Sequence, residues 1–154
     1  MTSQRVAPVP RLPGAGHAVL SGARLRVVPG VSAEPRARLS LRLPSYRSLP
    51  LSCVEGLDLE IDGVAVPADR MALLVNTTPY ALSQLGSHPE VWWFVLDHAE
   101  IEIAGWPLDA GEHAVTAVLT TVEPYVSNGR FSFVYRDSAV LVVDDPRPEG
   151  MPRV

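Results

Sequence analysis

Leu57-Asp58-Leu59-Glu60-Ile61-Asp62-Gly63-Val64-Ala65-Val66 is the stretch that decides the fold of this chain. Leu57, Leu59 and Ile61 alternate with Asp58 and Glu60, which is the period of a half-buried strand with its acidic side chains in water. Asp62-Gly63 is the dipeptide best suited to the two positive φ angles of a type I′ hairpin turn. Closure there pairs Ile61 with Val64 and Leu59 with Val66, placing all four apolar side chains on one face. Turn chemistry and hydrophobic register therefore agree.

The same period extends outward from this hairpin. Arg24-Leu25-Arg26-Val27 alternates, and Arg36 to Leu43 places Ala37, Leu39, Leu41 and Leu43 on one face with Arg36, Arg38 and Arg42 on the other. Further strands are expected at Met71 to Val75, Val91 to Val95, Ala99 to Ile103, His113 to Leu119, Phe131 to Tyr135 and Ala139 to Val143, each bounded by Gly, Pro, Asn or Asp. Only Tyr80 to Leu85 suggests a helical turn or two. Short strands at this spacing predict an all-β, antiparallel β-sandwich, jelly-roll or immunoglobulin-like, over residues 23–145. Ala139-Val140-Leu141-Val142-Val143 is apolar throughout and is expected to be buried on both faces or covered at its edge. Residues 1–22, rich in Pro and Gly, read as an arm that is loose or ordered by lying on something, and residues 146–154 as a disordered tail.

Composition narrows the classes of function. The 154 residues are 47% hydrophobic and 19% charged, a balance that lets one domain bury a conventional core without disulfides or structural metal. Cys53 is the sole cysteine and cannot cross-link its own chain, which fits a reducing compartment. The N-terminal segment offers only Ala18-Val19-Leu20 as an apolar run, short of a signal peptide or membrane span, so a cytoplasmic location without membrane contact is expected. All thirteen basic residues are arginine, but they are scattered and the net charge is −4. No continuous basic face results, which argues against nucleic acid as a partner.

The residues that could carry chemistry have ordinary explanations. His17, His88, His98 and His113 invite a cupin-like metal site, yet no two stand at the i, i+2 or i, i+4 spacing that would aim both at one ion. Asp58, Glu60, Asp62, Asp69, Glu100 and Glu102 could supply a glycosidase pair, but those on strands alternate with apolar residues as a solvated face does. Cys53 lacks a flanking base, and Ser48 and Ser52 lack a nucleophile-elbow context. No catalytic or metal-ligating residue is assigned.

Two features exceed the needs of a core. In Val91-Trp92-Trp93-Phe94-Val95, strand geometry sends Trp92 and Trp93 to opposite faces, so one ring is core and the other is exposed, covered or docked. In Leu43-Pro44-Ser45-Tyr46-Arg47-Ser48-Leu49-Pro50-Leu51-Ser52, two prolines brace a loop that displays Tyr46 and Arg47, side-chain types enriched in interface cores. Read without a partner, the same loop is a proline-braced crossover between sheets. Tyr46, Arg47, Leu49, Pro50, Trp92 and Trp93 are the candidate partner-binding residues.

The run Arg42 to Ser52, the hairpin Leu57 to Gly63, Val91-Trp92-Trp93-Phe94 and Gly111-Glu112-His113 together resemble, over roughly residues 36 to 125, the small β subunits of bacterial C-glycoside deglycosidases. The proline-rich arm and the lysine-free composition are not part of that pattern. The resemblance implies a β-sandwich paired with a larger (β/α)-barrel α subunit that holds a divalent metal, manganese, and the acid/base residues. Such a complex is a carbon-carbon lyase, cleaving a 3-oxo-C-glycoside between the sugar and its aromatic aglycone. The ketone acidifies the neighbouring sugar position, and the aglycone leaves as a carbanion equivalent stabilised by its phenol ring. This chain itself would then carry no cofactor. A stand-alone carbohydrate-binding or immunoglobulin-like module is the alternative, and a small-barrel metalloenzyme built on the histidines is a third reading.

Overall fold

The computed structural model describes residues 11–13 (main chain only), 19–28, 35–44, 47–129 and 131–144. Its strands are β1 (Arg11–Pro13), β2 (Leu25–Val28), β3 (Arg36–Arg42), β4 (Leu49–Pro50), β5 (Val54–Ile61), β6 (Val64–Ala65), β7 (Met71–Val75), β8 (Thr78–Ala81), β9 (Trp92–Trp93), β10 (His98–Ala104), β11 (Gly111–Val122) and β12 (Ser132–Val143). One sheet runs β1-β12-β11-β5-β6, the second β2-β3-β10-β7-β8, and β4 with β9 makes a small third. All pairings are antiparallel except β1 alongside β12.

The alternation read in the sequence is the alternation of burial. Ala37, Leu39 and Leu41 of β3 and Ala99, Ile101 and Ile103 of β10 face inward. They meet Leu57, Leu59, Ile61, Val115, Ala117 and Leu119 from the opposing sheet in one apolar cluster. The architecture is an all-β antiparallel sandwich with only short 3-10 turns between strands.

Outward-facing side chains of the second sheet pair with one another. Arg26 grips both carboxylate oxygens of Glu100 at 2.7 and 2.9 Å, Arg38 reaches Glu102 at 2.9 Å, and Arg36 also pairs with Glu102. The carboxylates at 100 and 102 are thus held in a cross-strand ladder with arginine.

Several expectations are corrected. Asp62 and Gly63 do turn with φ of 52° and 78°, and Ile61 does pair with Val64. However, Val64 is exposed while Leu59, Ile61 and Val66 are buried, because β6 is a two-residue edge strand with its first residue overhanging the core. The strands expected at Phe131 to Tyr135 and Ala139 to Val143 are one strand: Arg136, Asp137 and Ser138 stay in register opposite Val118, Ala117 and Thr116. Tyr80 and Ala81 finish β8 and only Leu82–Ser87 turns as 3-10 helix. Of Val91 to Val95, only Trp92–Trp93 is strand. The burial expected of the last strand is not met, since Val140 and Val142 are 62% and 55% exposed.

Within the segment read as an arm, β1 lies along Ser132–Val134. Val19 and Leu20 are buried, and the Leu20 amide donates to Asp137 Oδ2 at 2.8 Å. Residues 146–154, His17 and Tyr46 lie outside the described residues. Among the described residues no helix is long and apolar enough to cross a membrane.

Candidate functional site

The two sequence features that exceeded the needs of a core are one structural unit. The proline-braced loop and the tryptophan pair meet as β4 and β9, with Leu49 opposite Trp93 and Pro50 opposite Trp92. Further bonds lock the pairing. The Leu51 amide donates to the Val91 carbonyl at 2.8 Å, and the Val95 amide donates to Ser48 Oγ at 2.9 Å. Prolines remove donors and fix φ, so the loop reaches this geometry at a small entropic cost.

Opposite faces of β9 have opposite fates. Trp93 is 1% exposed and Trp92 45%. The Trp93 indole N–H donates to the Asp97 carbonyl at 3.1 Å, so its one polar atom is satisfied inside. Leu49 is fully buried beside it, which makes Leu49 and Trp93 core residues that hold the unit in place. Trp92 is followed by two more exposed apolar side chains, Phe94, half exposed, and Leu96, 86% exposed, in the turn that the Asp97 amide closes on the Phe94 carbonyl at 3.0 Å. Phe94 and Leu96 were not singled out in the sequence; the strand ends at Trp93, so strand alternation does not extend to them.

Arg47 is exposed, and its guanidinium lies 5.2 Å from the centroid of the Tyr125 ring, within cation–π range. Tyr125 is held in turn by a buried carboxylate. Glu123 accepts hydroxyl bonds from Tyr135 at 2.6 Å, Tyr125 at 2.8 Å and Thr121 at 3.3 Å. Burial and the neighbouring Glu123 push the Tyr135 phenol above its ordinary range. Sequence reasoning missed this network because a lone Glu after a strand reads as surface.

The histidines serve separate partners. His88 meets Glu90 at 2.8 Å and His98 approaches the Ser21 carbonyl at 3.4 Å. His113 is buried and its two ring nitrogens face Asp62 Oδ2 at 2.6 Å and the Asp109 carbonyl at 2.7 Å. Two acceptors favour the imidazolium, so the Asp109 carbonyl and the Asp62 carboxylate hold His113 above its ordinary value. Its proton in turn holds Asp62 low. The Asp62-Gly63 turn and the Gly111-Glu112-His113 strand opening are therefore parts of one clamp. Among the described residues no three His, Cys, Asp or Glu side chains converge as metal ligands would. Cys53 is partly buried, and desolvation raises its thiol above the ordinary value.

Residues 37–125, which contain the β4/β9 unit, the histidine clamp and Glu123 with Thr121 and Tyr125 but not Tyr135, match the family model described as C-glycoside deglycosidase beta subunit. The chain belongs to that family. The beta subunit of 3'-dehydrocarminate deglycosidase from Microbacterium sp is 40% identical over 96 residues, covering 62% of this chain and 73% of the relative. The C-glycoside deglycosidase beta subunit of Microbacterium trichothecenolyticum is 33% identical over 121 residues, 78% of this chain and 86% of its own. A beta subunit from Arthrobacter globiformis is 35% identical over 98 residues, 62% and 74% of the two chains. As a member of the C-glycoside deglycosidase beta subunit family, the chain is named for one part of a complex with a partner subunit. Arg47, Leu49, Pro50, Trp92 and Trp93 all fall inside the matched segment, whereas β12 lies beyond it.

Proposed function

We propose that this chain is the accessory subunit of a cytoplasmic C-glycoside deglycosidase, docking through Arg47 and the exposed side chains of Trp92, Phe94 and Leu96 onto a larger (β/α)-barrel subunit. Tyr46, a candidate contact from the sequence, is adjacent to Arg47 in the chain. The observation that carries this reading is an aromatic ring, Trp92, left exposed on a unit whose other face is fully buried, in a chain whose family is named as a beta subunit. Trp and Arg are the side-chain types of interface anchors.

The reaction proposed for the complex is carbon-carbon lyase cleavage of a 3-oxo-C-glycoside. A relative's name, 3'-dehydrocarminate deglycosidase, itself specifies oxidation at a 3′ position. A divalent metal, manganese, in the larger subunit would polarise the sugar ketone, and the acid/base groups belong there too. This chain contributes a preformed surface, with Trp93 and Leu49 fixing its geometry.

Co-expression with the larger subunit tests the proposal. A stable complex that releases aglycone from a 3-oxo-C-glycoside, with turnover lost when this chain is omitted, is the expected result. A chain that remains alone and adds nothing to activity overturns it. The exposed face of Trp92 could also stack on a sugar ring; saturable glycan binding by the isolated chain, followed by Trp fluorescence, would favour a stand-alone binding module instead.

A further inference from the structure

Among the described residues, the outer edge of β12 is paired only at its first residues. β11 pairs with it along all twelve residues, Ser132 to Val143. On the other side, β1 occupies only Ser132–Val134. Among the described residues no strand covers the outer edge from Ser138 to Val143. Open edges expose rows of unpaired N–H and C=O groups, and proteins commonly blunt them with lysine, proline or a bulge. This stretch, Ser138-Ala139-Val140-Leu141-Val142-Val143, contains no charge and no proline.

The side chains along the outward face are Arg136, Ser138, Val140, Val142 and Asp144, all exposed. They read positive, polar, apolar, apolar, negative. An antiparallel copy of the same strand, related by a two-fold axis through Val140, sets Arg136 opposite Asp144, Ser138 opposite Val142 and Val140 opposite itself. Both ends then carry opposite charges and the centre is apolar, a self-complementary pattern that an isologous contact requires. The pairing from Arg136 to Asp144 begins beyond the strand already occupied by β1.

We infer that β12 pairs antiparallel with β12 of a second copy of this chain, joining two sandwiches through one continuous sheet with the two-fold at Val140. This contact is separate from the Arg47 and Trp92 surface, and it stands or falls independently of the function proposed above.

Sedimentation equilibrium of the full chain tests the contact, with charge reversal testing the register. The full chain sediments as a dimer. Arg136→Glu alone or Asp144→Arg alone places like charges opposite one another at both ends of the contact and weakens the dimer by about tenfold, while R136E combined with D144R restores it. Val140→Cys forms a disulfide-linked dimer on mild oxidation, because facing residues across an antiparallel pair lie about 4.5 to 5.5 Å apart at Cα, within disulfide reach. Ala139→Cys, which would face residue 141, does not. A monomer at all concentrations overturns the inference, as does a dimer indifferent to single reversals or one not rescued by the double exchange. Loss of the larger subunit on Val140→Lys would assign the edge to that partner and equally overturn it.

Discussion

Replacing either tryptophan of β9 with alanine should produce distinct phenotypes, and the sizes follow from burial. A Trp side chain carries roughly 250 Å² of surface. With 45% of Trp92 exposed, about 110 Å² of it remains open to a partner. Covering that area at about 25 cal/mol/Å² contributes about 2.5 to 3 kcal/mol, so Trp92→Ala should weaken binding of the larger subunit by about 100-fold. Thermal stability of the isolated chain should fall less than for Trp93→Ala, since the ring is already partly in water and its loss leaves no closed cavity. Trp93→Ala removes a ring that is 1% exposed and orphans the Asp97 carbonyl, a combination expected to cost about 3 to 5 kcal/mol of stability. Isothermal titration with the larger subunit and thermal unfolding of the free chain read the two effects separately. If W92A binds within threefold of the wild type while remaining folded, Trp92 is not part of the docking surface and the reasoning fails.

Two further outcomes follow from the turns. His113 is held above its ordinary value of 6.5, so its contribution to stability is complete below that pH and is lost as pH rises through the raised folded value. Asp62, held below 3.8, loses its contribution only as pH falls through the lowered one, so His113→Gln should flatten the decline of the unfolding midpoint above pH 6.5; an unchanged slope in H113Q places that dependence elsewhere. Thr77 turns the β7–β8 hairpin at a φ of 68°, where a β-branched residue is strained by about 1 to 2 kcal/mol. Thr77→Gly should therefore raise stability by about 0.5 to 1 kcal/mol after the entropy of glycine is subtracted, and a lower melting temperature would refute the strain.

What the sequence made legible was whatever depends on neighbours along the chain. The Asp62-Gly63 hairpin was readable because the turn demands positive φ at two adjacent positions and the flanking residues alternate. The equivalent turn at Asn76-Thr77 was not, because its second residue adopts φ of 68° without being glycine. Strand geometry showed that Trp92 and Trp93 must face opposite ways, yet it could not say which faced inward. That choice is made by Leu49, far away in sequence, lying opposite Trp93. The His113–Asp62 clamp spans 51 positions and the buried role of Glu123 rests on Tyr135, 12 positions on. Neither carries a local signal. Arg136-Asp137-Ser138 looked like a turn because polar residues interrupt an apolar run, when they are a strand segment in register, with Arg136 and Ser138 facing outward and Asp137 accepting the Leu20 amide.

The distribution of satisfied and unsatisfied surface orders these observations into one argument. On the second sheet, Arg26, Arg36 and Arg38 are matched by Glu100 and Glu102, and at the hairpin end Asp62 is matched by His113. Charges matched within one chain give little reason for a partner to settle there, since docking would have to desolvate pairs that water and neighbours already stabilise. Among the described residues, the exposed side chains of Trp92, Phe94 and Leu96 and the valine edge at Val140 and Val142 have no such internal match. They lie in different parts of the chain, one inside the family-matched segment and one outside it. Removing Trp92, Phe94 and Leu96 should therefore abolish the heteromeric contact while leaving the β12 pairing intact, and reversing Arg136 should do the converse. A single substitution that dissolved both contacts would mean that the two surfaces are parts of one interface.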